Sequence, residues 1–172
     1  MKKIITEWPQ FYTATILDWK RLLKQDKYKD IVIASLRFLV KSRRVRIFGF
    51  VIMSNHIHLI WQVEPDFKQS DVKRDFLKYT AQKIKADLRR SHPQVLDRFL
   101  VCSSDRHYQF WKRGSLSVEL RSRAVFFQKL EYIHWNPVKA FLSSTPEEYK
   151  YSSASFYETG LDNWGFLTHY TE

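Results

Sequence analysis

Residues 43–63 read RRVRIFGFVIMSNHIHLIWQV, and this stretch decides the fold. Its first half, from Arg43 to Met53, is rich in β-branched and aromatic residues and predicts a strand. Ser54 and Asn55 predict a turn, and His56 to Val63 predicts a second strand, so the stretch forms a β-hairpin. Because side chains alternate across a strand, one face carries His56, His58, Ile60 and Gln62, and the other carries Ile57, Leu59, Trp61 and Val63.

A strand and a helix are predicted before this hairpin, and a second helix after it. Phe11 to Leu17 predicts the first strand, and Asp26 predicts the cap of a helix from Lys27 to about Lys41. After the hairpin, Ser70 predicts the cap of a long helix that Pro93 ends. Its apolar side recurs every four residues, at Val72, Phe76, Thr80, Ile84 and Leu88.

The rest of the chain predicts one more strand and one more helix. His107 to Arg113 predicts the fourth strand. A third helix is predicted from near Ser122, with Phe126, Phe127, Leu130 and Ile133 on its core side, and it is expected to bend or end at Asn136 and Pro137. The order β-α-β-β-α-β with an added C-terminal helix predicts an α+β fold built on a ferredoxin-like sheet. We expect one domain over residues 1–172, with a core at about 10–155 and a tail at 156–172.

Composition excludes several classes of protein. The 172 residues are 44% hydrophobic and 16% aromatic, which is enough for one buried core and excludes a mainly disordered chain. Cys102 is the single cysteine, so a disulfide scaffold is excluded. No apolar run is long enough to span a bilayer, and the basic start lacks the apolar stretch of a signal peptide. We therefore expect a soluble, cytoplasmic protein without a membrane partner.

The charge of the chain points to a nucleic acid. There are 29 Lys and Arg against 18 Asp and Glu, a formal charge of +11, and the pI is near 9.8. Such an excess is typical of proteins that bind phosphate backbones. A basic solvated surface without a specific partner explains the charge equally well.

Two sets of polar side chains could carry chemistry. His56 and His58 stand side by side on one strand face and would make half of a divalent-metal site, although two such histidines are more often surface residues. Gln128, Tyr132 and Asn136 lie at i, i+4 and i+8 and form a polar stripe on the third helix. Tyr132 could present a nucleophilic oxygen and Asn136 a ligand oxygen, but a tyrosine packed at the core edge fits the same spacing.

Four stretches of the sequence resemble a known family. They are MSNHIHLI at residues 53–60, YQFWKRG at 108–114, LEYIHWNPVK at 130–139 and PEEYKYSSA at 146–154. In this order they resemble the HUH single-tyrosine transposases, and within them the REP-associated tyrosine transposases. The resemblance runs from about residue 10 to residue 155. It implies the same α+β fold with an additional C-terminal catalytic helix.

The resemblance also implies an activity and its residues. His56 and His58 match the metal-binding pair, Tyr132 the nucleophile and Asn136 a third ligand, with Mg²⁺ or Mn²⁺ as the cofactor. The implied reaction is cleavage and rejoining of single-stranded DNA at imperfect hairpins through a 5′-phosphotyrosine. Members act as monomers or as homodimers. By analogy, a DNA track is expected on the second helix and one aromatic residue: Lys73, Arg74, Lys78, Lys83, Lys85, Arg89, Arg90 and Trp111. Tyr108 and Trp135 are further candidates for base stacking.

Two alternatives remain at this stage. Arg46 to Met53 partly fits the aromatic strand of an RRM, so a non-catalytic module that binds single-stranded nucleic acid is possible on the same fold. Ile47 and Met53 depart from that pattern. The second alternative is an inactive relative of the transposases that only binds hairpins.

Overall fold

A four-stranded antiparallel sheet forms the middle layer of the protein. The structure is a computed structural model and describes residues 8–171. The strands are β1 (Gln10–Thr15), β2 (Val45–Ile52), β3 (His56–Val63), β4 (Leu100–Ser103), β5 (Arg106–Tyr108) and β6 (Leu116–Glu119). The helices are α1 (Asp26–Lys41), α2 (Gln69–Ser91), α3 (Pro93–Asp97), α4 (Arg123–Lys139) and α5 (Ala154–Thr159). The sheet has the order β2-β3-β1-β6, which is the order of a ferredoxin-like sheet and confirms the predicted fold class.

Helices α1 and α2 pack against one face of the sheet. The five residues predicted as the apolar side of α2, from Val72 to Leu88, are all buried there. They meet the β3 side chains that alternate onto this face, Ile57, Leu59, Trp61 and Val63. The predicted caps of these two helices were wrong. Gln25 and Lys68 occupy the cap positions without a side-chain hydrogen bond, and Asp26 is the first helical residue of α1, where it pairs with Lys29.

Helix α4 packs against the opposite face. Phe126, Leu130 and Ile133 are buried against sheet residues that include Phe11 and Ile60. The helix begins as predicted, since the Ser122 hydroxyl accepts a hydrogen bond from the Val125 amide at 3.2 Å.

Of the predicted bend or end of α4 at Asn136 and Pro137, the end was wrong, because the helix continues through Pro137 to Lys139. A proline inside a helix removes one backbone hydrogen bond, but helical bonding is present beyond it, from the Ala140 amide to the Asn136 carbonyl at 3.1 Å. Pro137 itself is buried, and this burial compensates for the missing bond. Asn136 therefore lies within the helix.

The predicted fourth strand was misplaced. Residues 106–108 pair only with β4 in a separate two-stranded sheet, and the strand that completes the main sheet is β6. β6 pairs along β1 at the edge of the sheet, and its Leu116 and Val118 are exposed. β6 is only four residues long, and so short an alternation of apolar and polar residues gives a weak sequence signal.

The C-terminal segment, expected as a tail, packs against the sheet. Trp164 and Phe166 contact Phe50 with ring centroids 5.7 and 5.6 Å apart, and the Thr168 amide donates to the Ile47 carbonyl at 2.8 Å. Within residues 8–171, no helix combines the length and apolarity needed to cross a bilayer. The expectation that the start is not a signal peptide falls largely on residues 1–7, which lie outside the described residues.

Candidate active site

The structure brings together the two histidines and the tyrosine. His56 and His58 project from the β3 face that α4 covers, and their ring centroids are 4.8 Å apart. The centroid of the Tyr132 ring, which comes from α4, lies 5.5 Å from that of His58, with an interplanar angle of 66°. Tyr132 is 44% exposed, so its ring borders both the imidazole pair and solvent. The three side chains therefore converge, as the proposed chemistry requires.

Both imidazoles are neutral at ordinary pH. Burial, together with the nearby charges of His56 and Lys129, lowers the pKa of His58 to about 3. Burial also lowers the pKa of His56. Phe11 contributes to this burial, since its ring stacks on that of His58 at 5.2 Å. Neutral imidazoles are the form that binds metal ions.

Hydrogen bonds orient both rings. The carbonyl oxygen of the Asn55 side chain lies 2.7 Å from Nδ1 of His56, so this nitrogen donates and Nε2 carries the lone pair. The Thr13 hydroxyl lies 2.7 Å from Nδ1 of His58. Within residues 8–171, neither Nε2 has a hydrogen bond. An imidazole held through Nδ1, with Nε2 available, is the usual arrangement of a metal ligand.

The donor set fits a divalent cation with an incomplete shell. Within residues 8–171, no third His, Cys, Asp or Glu joins the pair. Asn136 lies one turn after Tyr132 on α4 and is half-buried, so it comes from the same helix as the candidate nucleophile. In the described part of the chain, no hydrogen bond joins its side chain to either histidine. His56 and His58 thus supply two ligands, and Asn136 lies on α4, the helix that carries Tyr132.

Two cations accompany the Tyr132 ring. Nζ of Lys129 lies 5.6 Å and Nζ of Lys139 lies 5.9 Å from its centroid. The exposed side of α4 here is a shallow groove that includes Gln128 of the predicted stripe, together with Trp135. Positive charge beside this ring attracts phosphate. Lys129 was not among the residues predicted for the site. Its spacing of three residues before Tyr132 on a helix could have indicated that the two side chains are neighbours.

A basic groove lies between α2 and the segment before β6. Its volume is about 600 Å³. Of the predicted DNA track, only Arg74, Lys78, Lys85 and Trp111 line it, together with Arg106, Lys112 and Arg113, which the sequence reasoning missed. The other predicted track residues, Lys73, Lys83, Arg89 and Arg90, lie outside this lining. Asp105 is the acidic residue of the groove, and it pairs with Arg106 and Arg113.

The stacking expected of Trp111 is not available in this conformation. The residue is 6% exposed, and its indole nitrogen donates to the Thr80 hydroxyl at 3.0 Å. It belongs to the core on the α2 side of the sheet. Tyr108 is half-buried, whereas Trp135 is 43% exposed and lies one turn from Tyr132.

Comparison with known proteins gives the family. A model of the family described as "Transposase IS200 like" matches residues 14–118. The chain belongs to this family. The match includes the two histidines of this IS200-like transposase and ends before α4, so the tyrosine lies outside it.

Two solved structures are similar to this chain. A REP-associated tyrosine transposase bound to a REP hairpin is 19% identical, with a TM-score of 0.66 over 98% of this chain and 90% of that chain. A protein of Deinococcus radiodurans R1 described as a candidate transposase is 16% identical, with a TM-score of 0.48 over 73% of this chain and 87% of that chain. A comparison with curated proteins returned no match.

The RRM alternative was wrong for this IS200-like transposase. Phe48 and Phe50, the aromatic residues on which it depended, are 5% and 0% exposed. Phe48 packs under α4, and Phe50 packs into the core on the opposite face. An RRM needs an open sheet face on which bases stack, and here α4 covers the face that carries the histidines.

Proposed function

We propose that this IS200-like transposase cleaves and rejoins single-stranded DNA, with Tyr132 as the nucleophile. The observation that carries the proposal is the 5.5 Å separation of the Tyr132 and His58 rings on a basic protein. A phenol beside two oriented, neutral imidazoles is an arrangement suited to attack on a phosphodiester.

The chemical step is a transesterification. The Tyr132 oxygen loses its proton and attacks the phosphorus, the bond from phosphorus to the 3′ oxygen breaks, and that oxygen takes up a proton. The products are a 5′-phosphotyrosine and a free 3′-hydroxyl. Because the phosphotyrosine keeps the ester bond, a second 3′-hydroxyl can attack it and rejoin the strands without ATP.

The residues of the chain have separate roles in this step. Lys129 and Lys139 lie beside the phenol and offset the charge of the phenolate and the phosphate. Asn55 and Thr13 hold the imidazoles in place. A divalent cation held by His56, His58 and Asn136 would supply Lewis-acid stabilisation of charge on the phosphate. Two imidazole ligands favour Mn²⁺ over Mg²⁺.

The proposed substrate is an imperfect DNA hairpin with an adjacent single strand. The structural neighbour described above is bound to a REP hairpin, and the two chains share a fold. In this chain the basic groove between α2 and the segment before β6 offers phosphate contacts from Arg74, Lys78, Lys85, Lys112 and Arg113. Their combined charge is the reason for assigning the DNA path to this groove.

A covalent-trapping experiment tests the proposal. A hairpin oligonucleotide labelled at its 3′ end is incubated with the protein and Mn²⁺ and separated on a denaturing gel. We expect a labelled band at the mass of protein plus DNA, which Tyr132→Phe abolishes while DNA binding persists. Tyr79→Phe is the matched control, because Tyr79 is 42% exposed and lies on α2 across the sheet.

Two outcomes would contradict the proposal. An adduct that persists in Tyr132→Phe would assign the nucleophile to another residue. Hairpin binding without any adduct in the wild-type protein, with Mg²⁺ or Mn²⁺, would instead identify an inactive relative that only binds hairpins.

A further inference from the structure

The loop after β1 holds two residues in a conformation that is rare for their type. Asp18 and Trp19 have φ angles of 55° and 52°, in the left-handed region that favours glycine. Backbone hydrogen bonds fix the start of the loop against residues 110–112. The Leu17 amide donates to the Phe110 carbonyl at 2.7 Å, and the Lys112 amide donates to the Thr15 carbonyl at 2.7 Å. Unfavourable backbone angles persist where the surroundings enforce them, and such places are often functional.

This loop presents Trp19 to solvent. Trp19 is 60% exposed, the largest exposed fraction among the six tryptophans of the chain. Nζ of Lys112 lies 4.5 Å from the centre of its ring. A cation over one face of an indole leaves the other face for a flat partner. The charge of the neighbouring Asp18 is balanced by Lys20 at 2.7 Å.

One side chain connects this loop to the histidine pair. The Asn55 amide nitrogen donates to the Trp19 carbonyl at 3.3 Å, and its amide oxygen accepts from Nδ1 of His56 at 2.7 Å. The Trp19 backbone is thus two hydrogen bonds from an imidazole of the candidate active site. Lys112 also lines the basic groove, so it lies between that groove and Trp19.

We propose that Trp19 and Lys112 form a platform for one unpaired nucleotide of the DNA strand that enters the active site. The base stacks on the open face of Trp19, and the Lys112 ammonium contacts the adjacent phosphate. Stacking on an aromatic side chain suits single-stranded DNA because every base has a π face. This inference rests on the proposed function, since it takes single-stranded DNA as the ligand.

Binding measurements on the full chain test the platform. The Tyr132→Phe background prevents cleavage, and the probe is a fluorescent hairpin with a single-stranded 5′ extension. We expect Trp19→Ala to weaken binding by about tenfold or more, as typical for loss of one stacked base, while Trp19→Phe stays within about threefold. Trp8→Ala is the matched control, because Trp8 is 45% exposed and precedes β1.

An abasic scan locates the nucleotide. Bases are removed one at a time from the extension. At one position the removal should weaken binding by the parent protein, and at that same position it should not weaken binding by Trp19→Ala any further. Equal affinity of Trp19→Ala and its parent would overturn the platform, whether or not the wild-type protein forms the covalent adduct. A Trp19 effect without any adduct in the wild type would support the platform and refute the cleavage proposal. Trp19→Ala that changes self-association and leaves DNA binding unaltered would identify a contact between copies instead.

Discussion

A β-carbon on Gly49 would lie 2.6 Å from Cδ1 of Leu130, so strand β2 and helix α4 pack so closely that any side chain at position 49 would displace Leu130. The strand has a bulge between Ile47 and Gly49, which places Phe48 and Gly49 beneath the helix. Since α4 carries Tyr132 and β3 is the neighbour of β2, this close approach sets the distance between the phenol and the histidines.

We predict that Gly49→Ala lowers the free energy of unfolding by about 1–3 kcal/mol, because the added methyl group overpacks a filled interface. Leu130 is 5% exposed and has little room to move. Displacement of α4 should reduce covalent adduct formation more than it reduces DNA binding. Chemical denaturation and the 3′-labelled hairpin assay measure the two effects.

The double variant Gly49→Ala, Leu130→Val provides the control. Shortening Leu130 should relieve the contact. The losses of unfolding free energy in the two single variants should therefore add up to more than the loss in the double variant. If the two losses simply add, the contact between position 49 and Leu130 is not the cause of the destabilisation by Gly49→Ala.

The hydrogen bond between Thr13 and His58 leads to a second prediction. Thr13→Val keeps the shape of the side chain and removes the hydroxyl that holds Nδ1 of His58. We expect Mn²⁺ affinity to fall by about tenfold to a hundredfold, as is typical when the partner of a ligating histidine is lost. Calorimetric titration of the DNA-free protein with Mn²⁺ measures this change.

Thr15→Val is the matched control for that variant. Thr15 lies opposite His56 in the register of β1 and β3, as Thr13 lies opposite His58. Within the described residues, its hydroxyl makes no hydrogen bond to a histidine. Equal loss of affinity in both variants would show that the hydroxyl on Thr13 has no particular role.

The histidine face of β3 could be predicted from the sequence because it depends on local alternation. Residues 56–63 form the strand with the predicted bounds, and their two faces meet different helices. The position of Tyr132 beside the histidines could not be predicted from a local pattern, because it depends on a long-range contact between α4 and the sheet. The family resemblance indicated this position.

Other features had no local signal in the sequence. The continuation of α4 through Pro137 depends on the burial of that residue, which offsets the tendency of proline to end a helix. The basic groove joins α2 to residues 105–115, which are distant in sequence, so charge counting on α2 alone included Lys83 and Arg89 and omitted Arg113. The left-handed angles at Asp18 and Trp19 occur without a glycine.

The groove gives a third prediction. Lys78 and Lys83 are both exposed lysines on α2, but only Lys78 lines the groove. Lys78→Ala should weaken hairpin binding similarly for different sequences and lower the slope of log K against log salt by about 0.7–1. Lys83→Ala should leave the slope unchanged. Equal effects of the two variants in a fluorescence anisotropy salt titration would mean that the whole helix, and not the groove, follows the DNA.

Acid stability gives the last prediction. His134 is buried on α4, two residues after Tyr132, and its Nε2 lies 2.8 Å from the Ser153 hydroxyl, which accepts a hydrogen bond from the Phe50 amide. Burial lowers the pKa of His134 from 6.5 to about 4. The unfolded chain therefore binds more protons between these two values. The contribution of this histidine is complete above pH 6.5 and is lost as the pH falls towards 4, by up to about 3 kcal/mol.

Denaturation at a series of pH values measures this loss. His134→Gln should be less stable than the wild type at pH 7, because the fit to Ser153 is disturbed, and its stability should fall less steeply between pH 6.5 and 4. His107→Gln is the control, since His107 is exposed on β5 and its replacement should leave the slope unchanged. A slope in His134→Gln equal to that of the wild type would mean that the acid sensitivity arises elsewhere, with His58 the next candidate because burial lowers its pKa to about 3.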